Sequence, residues 1–212
     1  YDFTTVLDRR GRDSIAADLV PWQAKPEPGF STIPMWVADM NFPVVPTVQQ
    51  AMIARAEHPA FGYFDPPAKY YDSIIRWQED HNGVTGLKPE HIGYENGVLG
   101  GVLSALNCVC SRGDKVLVHS PTYIGFTHTL EDNGYRIVHS PLVQDENGKY
   151  QINFEDLEEK LKDPRTKLFF MSNPHNPAMR CFTLEELKRI GELCLKYNVL
   201  VISDEIHCDL TY

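Results

Sequence analysis

The hydrophobic pattern of the chain changes character partway along. Through the first 45 residues neither a two-residue nor a 3.6-residue period persists, and the stretch is broken by Pro21, Trp22, Pro26, Pro28, Pro34, Trp36 and Pro43. Prolines at that density prevent a long helix or a central strand, because each fixes φ and removes a backbone donor. Segment 1–45 therefore reads as an arm laid over another surface, such as another subunit. Apolar spacing then predicts a helix over Val45–Glu57, a turn-rich stretch over His58–Pro67, and a second helix over Ala68–His81.

Beyond Gly93 the pattern is regular. Residues Gly97–Cys110 (GVLGGVLSALNCVC) are apolar nearly all round, which predicts a helix buried on most sides. Lys115–His119 reads as a strand closed by Ser120-Pro121, Tyr123–Asn133 as a helix stopped by Asn133-Gly134, and Arg136–His139 as a second strand. Asn153 opens a helix with acids in its first turn, where the helix dipole favours them. Lys167–Ser172 is a third predicted strand, Thr183-Leu-Glu-Glu186 a capping box opening a helix to Tyr197, and Val199–Ser203 a fourth strand. Strand and helix thus alternate four times with short joins. That predicts an α/β domain over residues 46–212 with a mainly parallel sheet.

Composition narrows the function classes. With 20 basic and 29 acidic side chains the net charge is −9, which argues against a nucleic-acid or anionic-membrane partner. No apolar run reaches the roughly 18 residues of a membrane span, and Tyr1-Asp2-Phe3 begins no basic-then-apolar leader. The five cysteines (Cys108, Cys110, Cys181, Cys194 and Cys208) form no C-x-x-C pair and no Cys/His quartet, so no metal is expected. Cys108, Cys110 and Cys194 sit in apolar helical runs, where thiols act as small core hydrophobes. The expectation is a cytoplasmic, reducing location.

In parallel sheets ligands gather at the carboxyl ends of the strands. After the first strand stands His119-Ser-Pro-Thr-Tyr123, after the third Ser172-Asn-Pro-His-Asn-Pro177, and after the fourth Ser203-Asp-Glu-Ile-His207. Ahead of the first strand, Glu95-Asn-Gly-Val-Leu-Gly-Gly101 leads into the apolar helix. An aromatic plate, an amide, a carboxylate with an imidazole, and a helix N-terminus are what a planar, phosphorylated heterocycle needs. Each also has an ordinary reading. Gly97, Gly100 and Gly101 do not match G-x-G-x-x-G, Tyr123 suits half-buried packing, Asn176 suits a turn, and Asp204 suits a solvated cap. Their coincidence in order on one sheet edge favours the ligand.

Five runs carry a resemblance: Pro34-Met-Trp-Val-Ala-Asp-Met40, Phe61-Gly-Tyr63, Pro121-Thr-Tyr123, Ser172-Asn-Pro-His-Asn-Pro177 and Ser203-Asp-Glu-Ile-His-Cys-Asp-Leu210. With these the chain resembles the fold-type I pyridoxal-phosphate enzymes of the class I/II aminotransferase superfamily, and within it the cystathionine β-lyase (carbon–sulfur lyase) branch. The resemblance implies a three-layer α-β-α large domain and an N-terminal arm contributing to a small domain. It implies pyridoxal 5′-phosphate as cofactor, with Asp204 facing the ring nitrogen and Asn176 donating to the ring oxygen. Tyr123 would stack on the ring, and the backbone N–H groups of Gly97, Val98 and Leu99 would cradle the phosphate. Val37 and Ala38 match the substrate-carboxylate contact, and Tyr63 the tyrosine that crosses a homodimer interface to the neighbouring site. His207, where aminotransferases of the superfamily carry tyrosine, favours the lyase branch, although a histidine there also suits packing under the ring.

The implied reaction splits cystathionine or a related cysteine S-conjugate into pyruvate, ammonia and a thiol. An amino acid aminotransferase, a non-catalytic regulatory protein on the same fold, and a nucleotide-binding α/β module are the alternatives. Two departures stand out. Asn176-Pro177-Ala178-Met179-Arg180 carries methionine where the family has glycine, which is strained if the position needs positive φ. None of the ten lysines follows Asp204, so none matches the Schiff-base position. The chain is accordingly expected to be the N-terminal portion of a longer protein.

Overall fold

The two most buried strands, Lys115–Ser120 and Thr166–Ser172, form where the chain is apolar in both alternating registers. The computed structural model describes residues 1–19, 27–30 and 33–211; Pro21, Trp22, Pro26 and Tyr212 lie outside the described residues. Its contacts divide the chain into two units, Tyr1–Asp65 and Pro66–Tyr212.

In the first unit a single turn of helix, α1 (Ile15–Asp18), is capped by the Ser14 hydroxyl, which accepts from the Ala17 N–H. Arg9 pairs with Asp39 at 2.7 Å, and the Leu7 N–H donates to the Asn41 carbonyl at 2.7 Å, so the irregular chain is tied across some thirty residues. Helix α2 (Pro46–Glu57) starts on proline, whose missing N–H costs nothing at a first helical position. None of its residues is buried.

In the second unit α3 (Ala68–Asn82) ends on Gly83 in the left-handed conformation, with the Gly83 N–H closing onto the Glu79 carbonyl and the Val84 N–H onto the Gln78 carbonyl. The order then runs α4 (Val98–Val109), β1 (Lys115–Ser120), α5 (Ile124–Asp132), β2 (Arg136–Pro141), β3 (Val143–Gln144), β4 (Tyr150–Gln151), α6 (Phe154–Leu161), β5 (Thr166–Ser172), α7 (Leu184–Tyr197) and β6 (Leu200–Asp204). Strands β2, β1, β5 and β6 form one sheet in that order, and every pairing is parallel. The outer edge of β6 pairs with no described strand.

Alternation along the central strands builds two cores. Leu117 of β1 and Phe169 and Met171 of β5 pack with Leu157 and Leu161 of α6 and Ile190, Leu193 and Cys194 of α7. Val116 and Val118 of β1 and Leu168 and Phe170 of β5 point the other way, onto Val102 and Leu106 of α4 and Phe126 and Leu130 of α5. The unit is therefore three-layered, as expected. Asn153 and Thr183 cap α6 and α7 as their sequences predict, the latter in a full capping box with Glu186. The β3–β4 hairpin was not expected. It turns on Asp145, whose carboxylate collects the N–H groups of Asn147 and Lys149 and the Gln151 amide.

The apolar helix α4 departs from expectation. Only Val102 and Leu106 are buried, and Ser104, Ala105, Asn107, Cys108 and Val109 are exposed. Helical geometry explains it, since 102 and 106 fall on one face, 104 and 108 on the opposite one, and 105 on the flank between. The cysteines follow suit: Cys194 is a core residue, but Cys108 and Cys181 are exposed, so core packing does not account for them; all five are free thiols. Leu106→Ala is expected to cost about 3 kcal/mol of stability in urea unfolding, while Cys108→Ala two residues away should stay within about 0.5 kcal/mol.

Candidate active site

Parallel pairing puts the carboxyl ends of β1, β5 and β6 on one edge. Ser172 and Asp204 are register partners there, and the Asn173 N–H donates to the Asp204 carbonyl at 2.9 Å. Only residues 110–114 separate α4 from β1, and the two share a core, so α4 must run antiparallel to the strand. Twelve helical residues rise about 18 Å and six strand residues about 20 Å. The N-terminus of α4 is thereby returned to the carboxyl edge. Gly97 is its N-cap at φ 91°, ψ 160°, a conformation essentially reserved for glycine, and no side chain caps the first turn. The N–H groups of Val98, Leu99 and Gly100 are left facing outward at the positive end of the dipole.

Tyr123 is the N-cap of α5, with its ring half-exposed and edge-on to Phe126 at 5.3 Å. The ring lies so close over Gly125 that a Cβ there would sit 2.3 Å from a ring carbon. Gly125 therefore shapes the site, although its sequence context gave no sign of it. Asp204 is half-buried; one carboxylate oxygen accepts the Ile206 N–H at 3.0 Å, and no cation among the described residues pairs with it. His207 is half-buried and caps a short 3-10 turn, Cys208–Leu210. Val37, Ala38 and Tyr63 belong to the first unit, where Val37 is half-buried and Ala38 and Tyr63 are exposed.

The loop after β5 is held by its own polar groups. The Phe182 N–H donates to the Asn173 side chain at 3.0 Å, the His175 N–H to the Arg180 carbonyl at 2.7 Å, and the Met179 N–H to the His175 carbonyl at 2.8 Å. Asn176 is half-buried; its N–H donates to the Ser172 hydroxyl, and its carboxamide bonds to no described residue. Met179 sits at φ 51°, so the turn keeps its left-handed residue and methionine bears the strain. Its side chain is 91% exposed and gains no packing in return. Arg180 is anchored away from the edge, donating to the Tyr150 carbonyl at 2.6 Å and pairing with Glu186 of the capping box.

Two histidines beneath this edge carried no role in the sequence. His119 sits in the β1 apolar run, fully buried, with its ring edge-on to Phe169 at 5.0 Å. Its Nδ1 faces the Ser140 carbonyl at 3.3 Å and therefore carries the proton, while Nε2 is buried with no partner among the described residues. Burial pushes this imidazole down from an ordinary 6.5 to about 4, against the hydrogen bond to the Ser140 carbonyl and the weaker pull of Asp156, with the neighbouring His175 and Arg180 acting in the same direction as burial. His175 is 3% exposed, and burial lowers its pKa as well. Among the described residues no group of three or more His, Cys, Asp or Glu could hold a metal ion.

Residues 33–212 match the family model of aminotransferase class I and II. Cystathionine beta-lyase PatB of Bacillus subtilis (strain 168) is 43% identical over 178 residues, which are 84% of this chain and 46% of PatB. Cystalysin from Treponema denticola, whose structure contains a pyridoxal 5′-phosphate cofactor, overlays with a TM-score of 0.90 at 31% identity, over 99% of this chain and 52% of its own. The PLP-bound C-S lyase from Staphylococcus hominis overlays with a TM-score of 0.86 at 32% identity, over 99% of this chain and 52% of its own. The chain thus spans about half the length of these relatives.

A buried neutral imidazole sets a direction for acid sensitivity. Below an ordinary 6.5 the unfolded chain takes up a proton at His119, which the folded chain refuses until about 4; stability must therefore fall as pH falls through that window. Urea unfolding should show a loss of about 2 kcal/mol from this group between about pH 7 and pH 5. His119→Asn, which can keep the bond to the Ser140 carbonyl but does not titrate, should flatten the slope by that amount. Met179→Gly, relieving the left-handed methionine, is expected to raise stability by about 1 kcal/mol in the same assay.

Proposed function

Because the chain belongs to the aminotransferase class I and II family, we propose that it forms part of a pyridoxal-phosphate-dependent carbon–sulfur β-lyase acting on cystathionine or related cysteine S-conjugates. One observation carries the reading. Along a single sheet edge stand an uncapped helix N-terminus, a half-exposed aromatic ring over a glycine, a carboxamide bonded to no described residue, and a carboxylate without a described cation. That donor and acceptor set fits the cofactor's phosphate, ring face, ring oxygen and ring nitrogen in turn. The likeness to a cystathionine beta-lyase and to two PLP-bound structures supports it.

In this reading the N–H groups of Gly97, Val98 and Leu99 hold the phosphate. Tyr123 keeps the ring flat, Asn176 donates to its oxygen, and Asp204 holds a proton on its nitrogen. Bound there, pyridoxal phosphate supplies an electron sink for negative charge at the amino-acid α-carbon. His207 supports the carboxylate side of the site, and the backbone at Val37 and Ala38 receives the substrate carboxylate. Tyr63 serves the site of a second copy in a homodimer. We assign residues 1–45 to an arm contributing to a small domain and 46–212 to the cofactor-binding domain, with the Schiff-base lysine supplied from chain beyond Tyr212. Free thiols throughout accord with a cytoplasmic location. No helix among the described residues is long and apolar enough to cross a membrane.

The full-length protein, given L-cystathionine, should release pyruvate, ammonia and a thiol. Asp204→Ala should lower that rate at least about a hundredfold. Absence of pyruvate and thiol from the unaltered protein overturns the lyase reading, and conversion of an added 2-oxo acid to its amino acid would make it an aminotransferase instead.

A further inference from the structure

We infer that His175 is a positioning residue that fixes Tyr123 and Asn176 relative to each other, by joining the loop after β1 to the loop after β5. The inference rests on the proposed cofactor site and adds to it a residue given no role above.

The directions of the hydrogen bonds carry the argument. His175 Nε2 lies 3.0 Å from the Pro121 carbonyl oxygen, and Nδ1 lies 3.1 Å from the Ser172 hydroxyl. A carbonyl only accepts, so Nε2 bears the proton and Nδ1 is a bare lone pair. The Ser172 hydroxyl must then donate to Nδ1, which leaves its oxygen free to accept the Asn176 N–H at 3.3 Å. One chain of hydrogen bonds therefore runs from the Asn176 backbone through Ser172 and the imidazole to Pro121. Pro121 lies two residues before Tyr123, and Asn176 directly follows His175. Only a neutral ring protonated on Nε2 completes this chain, and burial favours the neutral form. Phe182 packs against the same ring at 5.7 Å, so its orientation is fixed by apolar contact as well. His119, 6.0 Å away, is engaged with Ser140 and bonds to neither loop.

The test uses the full-length protein and three readouts: affinity of the apoprotein for pyridoxal phosphate, the pH midpoint of the cofactor's visible band, and thermal melting of the apoprotein. His175→Ala should weaken affinity about tenfold, the scale of one lost hydrogen bond. It should also move the midpoint upward, because a loosened Asn176 leaves more negative charge on the ring oxygen. His175→Gln, whose amide can still donate to the Pro121 carbonyl, should recover most of both. A lowered melting temperature with affinity and midpoint unchanged would reduce His175 to a packing residue and overturn the inference. Failure of the unaltered protein to bind the cofactor would instead sink the site itself, and the inference with it. If His175→Ala does not fold, imidazole 15N shifts of the unaltered apoprotein decide: a proton on Nε2 near neutral pH supports the relay, and one on Nδ1 refutes it.

Discussion

Burial of β1 and β5 on both faces is the constraint from which the rest of the second unit follows. A strand covered on one side can slip by two residues and still bury its apolar set. These two strands must satisfy α4 and α5 on one side and α6 and α7 on the other at once. Val116, Val118, Leu168 and Phe170 cannot change places with Leu117, Phe169 and Met171 without misfitting the side chains packed on each face. Register fixed in this way determines which residue is last in each strand. The carboxyl edge is thus specified by packing some distance below it.

The polar groups on that edge are cheap to hold because they are either bonded to one another or left facing outward. Ser172, His175, Asn173 and Asn176 fold their loop onto itself and onto the β1 loop through hydrogen bonds within the chain. Among the described residues, the Asn176 carboxamide, the first-turn N–H groups of α4 and one oxygen of the Asp204 carboxylate are left for a bound molecule. A site built this way is preorganised, and its unengaged groups are those a bound molecule would satisfy.

Much of this was legible from residue order. Continuous apolar runs between turn residues locate β1, β5 and β6 to within about a residue, and Tyr123, Asn176 and Asp204 stand out because each follows a strand. Thr183 and Asn153 announce their helices through caps that act over three residues. The failures share a physical cause in distance. Cys108 reads as core because α4 is apolar on every side, but which side meets the sheet is decided by β1 and β5, not by the helix. His175 needs Pro121, 54 residues earlier, before its tautomer means anything. Met179 looked incompatible with its turn, yet the loop's hydrogen bonds hold it there at positive φ.

Strand β6 has a further consequence. Its inner side is paired to β5, its outer side meets no described strand, and Leu200 and Val201 are half-exposed beside that open ladder. Unsatisfied strand edges flanked by branched apolar side chains are templates for adding another strand, from whatever chain comes near. The net charge of −9 opposes such association between copies of this chain by like-charge repulsion.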